Sequence, residues 1–166
     1  MAASMHGMPH GGDGIPNNGF SGHFCIHFLG SSTHVSGSVD PEHQLMVRKA
    51  AGKIGEYLDN ASPFDIVDTF LLALNHKESQ IIKMSFTHAK HNQIEYFLQE
   101  KDRITGIKKK SNYDKKDTSG LLTLDIPIES SIYRKGQHEE RITITFKMKR
   151  TSVKEPWKID FIEMIS

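Results

Sequence analysis

A single cysteine, Cys25, in 166 residues leaves no partner for an internal disulfide and no thiolates for an all-sulfur metal cage. No stretch approaches the roughly 18 consecutive apolar residues of a membrane-spanning helix. A formal charge of only +1 argues against a protein that coats nucleic acid or an anionic membrane, so neither partner is expected. A hydrophobic fraction of 37% beside 25% charged residues is too apolar for a disordered chain. Lys and Arg are missing altogether from residues 1–47, where the only acids are Asp13, Asp40 and Glu42. All 21 basic residues follow from Arg48 onward, against 17 acids, so that part carries a formal +4.

The early segment holds histidine and glycine instead. His6, His10, His23, His27, His34 and His43 are six of the ten histidines, and ten of the 13 glycines fall at or before Gly55. A shift this sharp places a boundary between Gly52 and Ser62. The expected organisation is a Gly/His-rich segment over 1–52, a linker or helix end over 53–60, and an α+β domain over 61–166. Fifty Gly-rich residues are too few to bury a core without staples. The segment is therefore expected to be the end of an incomplete, catalytic-type domain. No basic start and no apolar run of about 7 to 15 residues follow Met1, as a secretion signal would require. The compartment expected depends on what lies upstream: the cell wall or exterior if a signal does, the cytoplasm if the chain is complete.

Upstream of the boundary, Asp40-Pro41 caps a helix carrying Leu45, Met46, Ala50 and Ile54, weakened by Gly52 and Gly55. After the boundary the pattern is helical, then extended. Ser62-Pro63-Phe64-Asp65 starts another, with Phe64, Val67, Leu71 and Leu74 on one stripe. A short helix is expected over Lys77 to Met84, burying Ile81 and Ile82. A further one is capped by Thr87, with Ile94, Phe97 and Leu98 inward. Strict alternation then gives strands with Leu122, Leu124, Ile126 and Ile128, with Ile142, Ile144, Phe146 and Met148, and with Trp157, Ile159 and Phe161 inward. A weaker strand near Ile104 to Asn112 makes four, and Pro127 points to an edge or a bulge. The class expected is α+β: helices followed by a four-stranded antiparallel meander, preceded by a partial β domain.

This order of elements, ending in "EPWKIDFIEMI", resembles the nuclear transport factor two-like cone fold over residues 61–166. That fold hosts enzymes, ligand binders and accessory domains, so it implies no activity. The inward positions are apolar, without a polar pair, so a filled core is expected, as is a homodimer through the sheet as one use of it. Lys108-Lys109-Lys110 and Lys115-Lys116 around Tyr113 are read as charged edge residues of a solvated hairpin.

Chemistry concentrates at Cys25. In Gly22-His23-Phe24-Cys25-Ile26-His27-Phe28 a strand would bury Phe24, Ile26 and Phe28 and turn His23, Cys25 and His27 outward together. A neighbouring imidazole takes the thiol proton and leaves the nucleophilic thiolate. The pair His6-Gly7 and Gly22-His23-Phe24-Cys25-Ile26-His27 resembles the catalytic signature of L,D-transpeptidases. That signature runs His-Gly, some fifteen residues, then Ser/Thr-His-Gly-Cys, an apolar residue and Arg or Asn. In this chain Gly22, Phe24 and His27 stand at the hydroxyl, glycine and arginine positions. The wider stretch also looks like the end of a domain in wall-associated proteins of Gram-positive spore-formers. The resemblance implies Cys25 as acyl-accepting nucleophile, His23 as base and His6 lining the donor site, with Gly22 and His27 supporting. It implies peptidoglycan peptides as substrates and no cofactor.

A zinc site is the alternative, with His6, His10, His23 and His27 as ligands in pairs four apart, and His34 and His43 as further nitrogens. Asp13 and Asp40 are the only nearby carboxylates. The third expectation is a non-enzymatic accessory or binding module.

Overall fold

A computed structural model describes residues 1–12, 16–34, 36–88 and 91–165. The chain is α+β and divides into two compact units, Met1–Ile54 and Gly55–Ser166.

In the first unit, β1 (Ser4–Met5) pairs antiparallel with β2 (Ile26–His27), and α1 (Pro41–Ala50) packs on both. The Asp40 carboxylate accepts the Glu42 and His43 N–H groups, so α1 starts where Asp-Pro is expected to start it. Leu45 and Val47 are buried. Gln44, 5% exposed, fastens the chain after β2: its side-chain NH2 donates to the Phe28 carbonyl and its oxygen accepts the Gly30 N–H. Gly52, at φ +68°, ends the helical run.

α2 (Ile54–Asn60) starts at the last residue of the first unit, and in the second it is followed by α3 (Pro63–Asn75), α4 (Ser79–Ser85) and α5 (His91–Arg103), which precede the sheet. Its strands β3 (Ile104–Lys109), β4 (Thr123–Arg134), β5 (Glu140–Lys149) and β6 (Lys158–Ile165) lie in chain order, all antiparallel. Ser62 caps α3 by accepting the Asp65 N–H, and Phe64, Val67, Leu71 and Leu74 are buried as their spacing requires. The centre is Phe70, whose ring meets Phe86, Phe97 and Phe146 edge to face at 5.6, 5.2 and 5.7 Å.

Several expectations need correction. The helix expected over Lys77 to Met84 starts at Ser79, because Lys77 takes a left-handed φ of +60°. Thr87 does not cap α5; its N–H donates to the Ile159 carbonyl, and the residues just before His91 lie partly outside those described. Ile94 and Leu98 are only half-buried, while Glu100 is 7% exposed. Leu122 precedes β4 and is exposed. Phe161, 41% exposed, faces out and Ile162 is buried instead. The register explains it: Met148 pairs with Ile159 but Lys147 with Phe161, so Asp160 is an inserted residue that inverts the parity of β6. Pro127 sits in register opposite Thr145, beyond the Ser130 end of the β3 pairing, where only β5 flanks β4.

The interior of the second unit is filled. The cavity among Phe70, Phe97, Ile132 and Phe146 has about 10 Å³, room for about one water. Its rim does carry a polar pair, contrary to expectation: Arg134 donates to Glu100 at 3.3 Å and also bonds Glu140. The basic run is likewise not simply solvated. Lys109 pairs with Asp68 at 2.8 Å and lies 3.8 Å from the centre of the Tyr113 ring, while Tyr113 donates its hydroxyl to Asp68 at 2.7 Å.

Burial, then the bond to Asp68, pushes the Tyr113 phenol well above its ordinary value of 10.0. The folded chain thus favours the neutral phenol. That stability is present below about pH 10 and is lost as pH rises beyond it, when the unfolded chain ionises and the folded one does not. In an ultraviolet phenolate titration Tyr113 will stay protonated until the unit unfolds. Tyr113→Phe will make stability less sensitive to pH above about 10.

Candidate active site and metal centre

Three pieces of chain converge on Cys25 in the first unit. Beyond β1 and β2 the two segments stay paired, the His6 N–H donating to the Cys25 carbonyl at 2.9 Å and His10 and His23 exchanging both backbone bonds at 3.1 and 2.8 Å. Two glycines permit the close approach. A Cβ at Gly11 (φ +77°) would lie 2.5 Å from the His23 ring, and one at Gly22 (φ +98°) 3.0 Å from the His10 backbone. The third piece is the turn closed by the Ser32–Val39 bridge, where the Thr33 N–H donates to Ser38 and the Gly37 N–H to Thr33. That turn delivers His34.

At the centre, His10 Nε2 is 3.2 Å and His34 Nδ1 3.3 Å from Cys25 Sγ. The ligand atoms of His10, His23, Cys25 and His34 all lie within 4.8 Å of one another. His10 Nδ1 is 3.1 Å from the Met8 carbonyl, which can only accept, so Nδ1 carries the hydrogen. A neutral His10 therefore turns the Nε2 lone pair toward the sulfur. Cys25 and His10 are half-buried, while His23 and His34 are exposed, so the sulfur is approachable from solvent.

Within residues 22–28, His23 is exposed as expected and Cys25 is half-buried, but the apolar residues and His27 take the opposite sides from those expected. Phe24, Ile26 and Phe28 are 45, 60 and 43% exposed, while His27 is 5% exposed. Regular strand covers only Ile26–His27. The reason is α1, which offers the inner side of β2 an imidazole: His43 stacks on His27 at 3.9 Å and bonds the Ser4 hydroxyl through Nδ1 at 2.9 Å. Burial, then the neighbouring His43, lowers the His27 pKa, so His27 serves as a neutral packing ring. It is not at the sulfur.

The other expected residues are placed as follows. His23 belongs to the cluster, its ring 4.6 Å from that of His10 and 5.2 Å from that of His34. His6 stands behind His10 at 4.7 Å and near His43 at 5.9 Å, and is not one of the four clustered residues. Gly22 acts through its backbone. Of the histidines named for zinc, His10 and His23 are gathered around Cys25; His6 and His27 are not, and His34 takes part instead. Asp40 caps α1, and Asp13 lies outside the described residues. Among the described residues no helix is long and apolar enough to cross a membrane.

The arrangement offers two chemistries: a thiol with an oriented base, and a three-nitrogen, one-sulfur ligand set. No known family model, no curated protein and no solved structure matches the chain.

Proposed function

We propose that the first unit carries a cysteine acyl transferase of the L,D-transpeptidase kind, acting on cell-wall peptides. One observation supports it above the rest. The imidazole of His10 is held between Cys25 Sγ and the Met8 carbonyl, giving a nucleophile, a base and a group that orients the base. His10 takes the role that the sequence resemblance gives to His23, which stands beside it as a lining residue with His6 behind.

In this reading His10 Nε2 takes the thiol proton as Sγ attacks a peptide carbonyl beside a D-centre. The carbon–sulfur bond forms, the carbon–nitrogen bond breaks, and the proton passes from His10 to the departing amine. A second amine or water then attacks the thioester, giving its proton to His10 and releasing the thiol. The second unit, with its filled interior, serves as an accessory module of cone-like type.

The test is covalent acylation of the full-length, metal-free chain by a carbapenem, a β-lactam that acylates thiols of this kind. One adduct per chain, located on the Cys25 peptide, supports the reading. A chain that stays unmodified at every concentration sinks it.

A further inference from the structure

We propose that His10, His23, Cys25 and His34 form a binding site for a divalent, borderline-soft metal ion, with zinc as the natural occupant, and that the bound ion masks the Cys25 sulfur. The site is argued from its donors and does not rest on the acyl-transfer reading. Three imidazoles and a thiolate suit zinc and its neighbours and are poor ligands for magnesium or calcium. Four protein donors complete a tetrahedral shell, as in structural zinc sites.

Geometry supports the same assignment. In a tetrahedron built on zinc–sulfur and zinc–nitrogen distances of about 2.3 and 2.0–2.1 Å, the sulfur–nitrogen edges are about 3.5 to 3.6 Å, within about 0.4 Å of those found here. The separations from Sγ to His10 Nε2 and to His34 Nδ1 are 3.2 and 3.3 Å. With all four donor atoms within 4.8 Å of one another, closing the shell requires ring movements of about 1 Å.

Two further features favour a cation. Cys25 Sγ has two imidazole nitrogens at hydrogen-bond distance, which a neutral thiol meets only by donating to one and accepting an N–H from the other. A central cation satisfies both nitrogens and the sulfur together. The Met8 carbonyl, by holding the hydrogen on His10 Nδ1, supplies the outer contact that metal-bound histidines usually have and leaves Nε2 as the ligand atom. The ligands come from three segments, so binding would also tie the turn around His34 to the paired segments.

The experiment titrates zinc into the full-length, chelator-treated chain and follows metal stoichiometry, proton release and iodoacetamide labelling of Cys25. One equivalent is expected to bind, to release the thiol proton and to suppress labelling. Cobalt in place of zinc should give a thiolate-to-metal charge-transfer band. His34→Ala should weaken binding by more than about 100-fold, beyond what losing an outer contact costs. His138→Ala, in the second unit, should leave binding unchanged. A circular dichroism spectrum checks that each variant is folded, and Cys25→Ser, which keeps the shape but loses the thiolate, provides a second variant should His34→Ala misfold. Absence of stoichiometric binding, or binding equally tight in His34→Ala and Cys25→Ser, would overturn the site. The two proposals fail separately: a chain that binds one zinc but never reacts with a carbapenem keeps the metal site and loses the acyl-transfer reading.

Discussion

His10→Ala will slow acylation of Cys25 by about 10²- to 10⁴-fold in metal-free protein, the usual contribution of a positioned general base. The expectation follows from which nitrogen faces the sulfur. His10 Nε2 is 3.2 Å from Sγ with its other nitrogen fixed on the Met8 carbonyl, whereas His34 is exposed and carried on a turn. His34→Ala should therefore change the acylation rate far less than His10→Ala. Added imidazole should restore part of the rate to His10→Ala and none to a cysteine-free chain. Should His23→Ala abolish the reaction while His10→Ala leaves it intact, the base is the residue that the sequence resemblance names, and the orienting role of the Met8 carbonyl falls with His10.

Phe70→Ala will destabilise the second unit by about 3–5 kcal/mol, the range for removing a fully buried aromatic ring. Phe70 is 1% exposed and is the ring on which Phe86, Phe97 and Phe146 converge edge to face, from the chain after α4, from α5 and from β5. Nothing beside it can collapse cheaply into the gap, because the adjoining cavity is already one of about 10 Å³ and its walls belong to paired strands and packed helices. That loss is a third or more of the total stability of many domains. Phe161→Ala is the matched control, since this ring faces solvent across from Lys147, and it should cost no more than about 0.5 kcal/mol. Urea denaturation of both variants, followed through Trp157, measures the difference.

Much of the fold could be read from periodicity. The alternation through Ile142, Ile144, Phe146 and Met148 and the stripe from Phe64 to Leu74 each reflect one buried face, which a sequence states directly. Asp160 shows where this ends, because an inserted residue inverts every later side chain of its strand and leaves no mark in composition. Glu100 and Arg134 are far apart in sequence, and only the sheet's return against α5 makes them a pair.

The site was legible as a set of residue types and not as an arrangement. Parity grouped His23, Cys25 and His27, but the rule that phenylalanines go inward chose the wrong side, because α1 buries His27 against His43 instead. The nitrogens that reach the sulfur belong to His10, 15 residues earlier, and His34, nine residues later. Strand pairing places the first and a turn places the second, and neighbour spacing contains neither.

The most direct measurement is the intact mass of metal-free wild-type protein and of Cys25→Ala after exposure to the same carbapenem. The account predicts a single covalent adduct on wild type, mapped to Cys25, and an unshifted mass for the variant. Equal adducts on both chains, or none on a wild type shown to be free of metal, would contradict it.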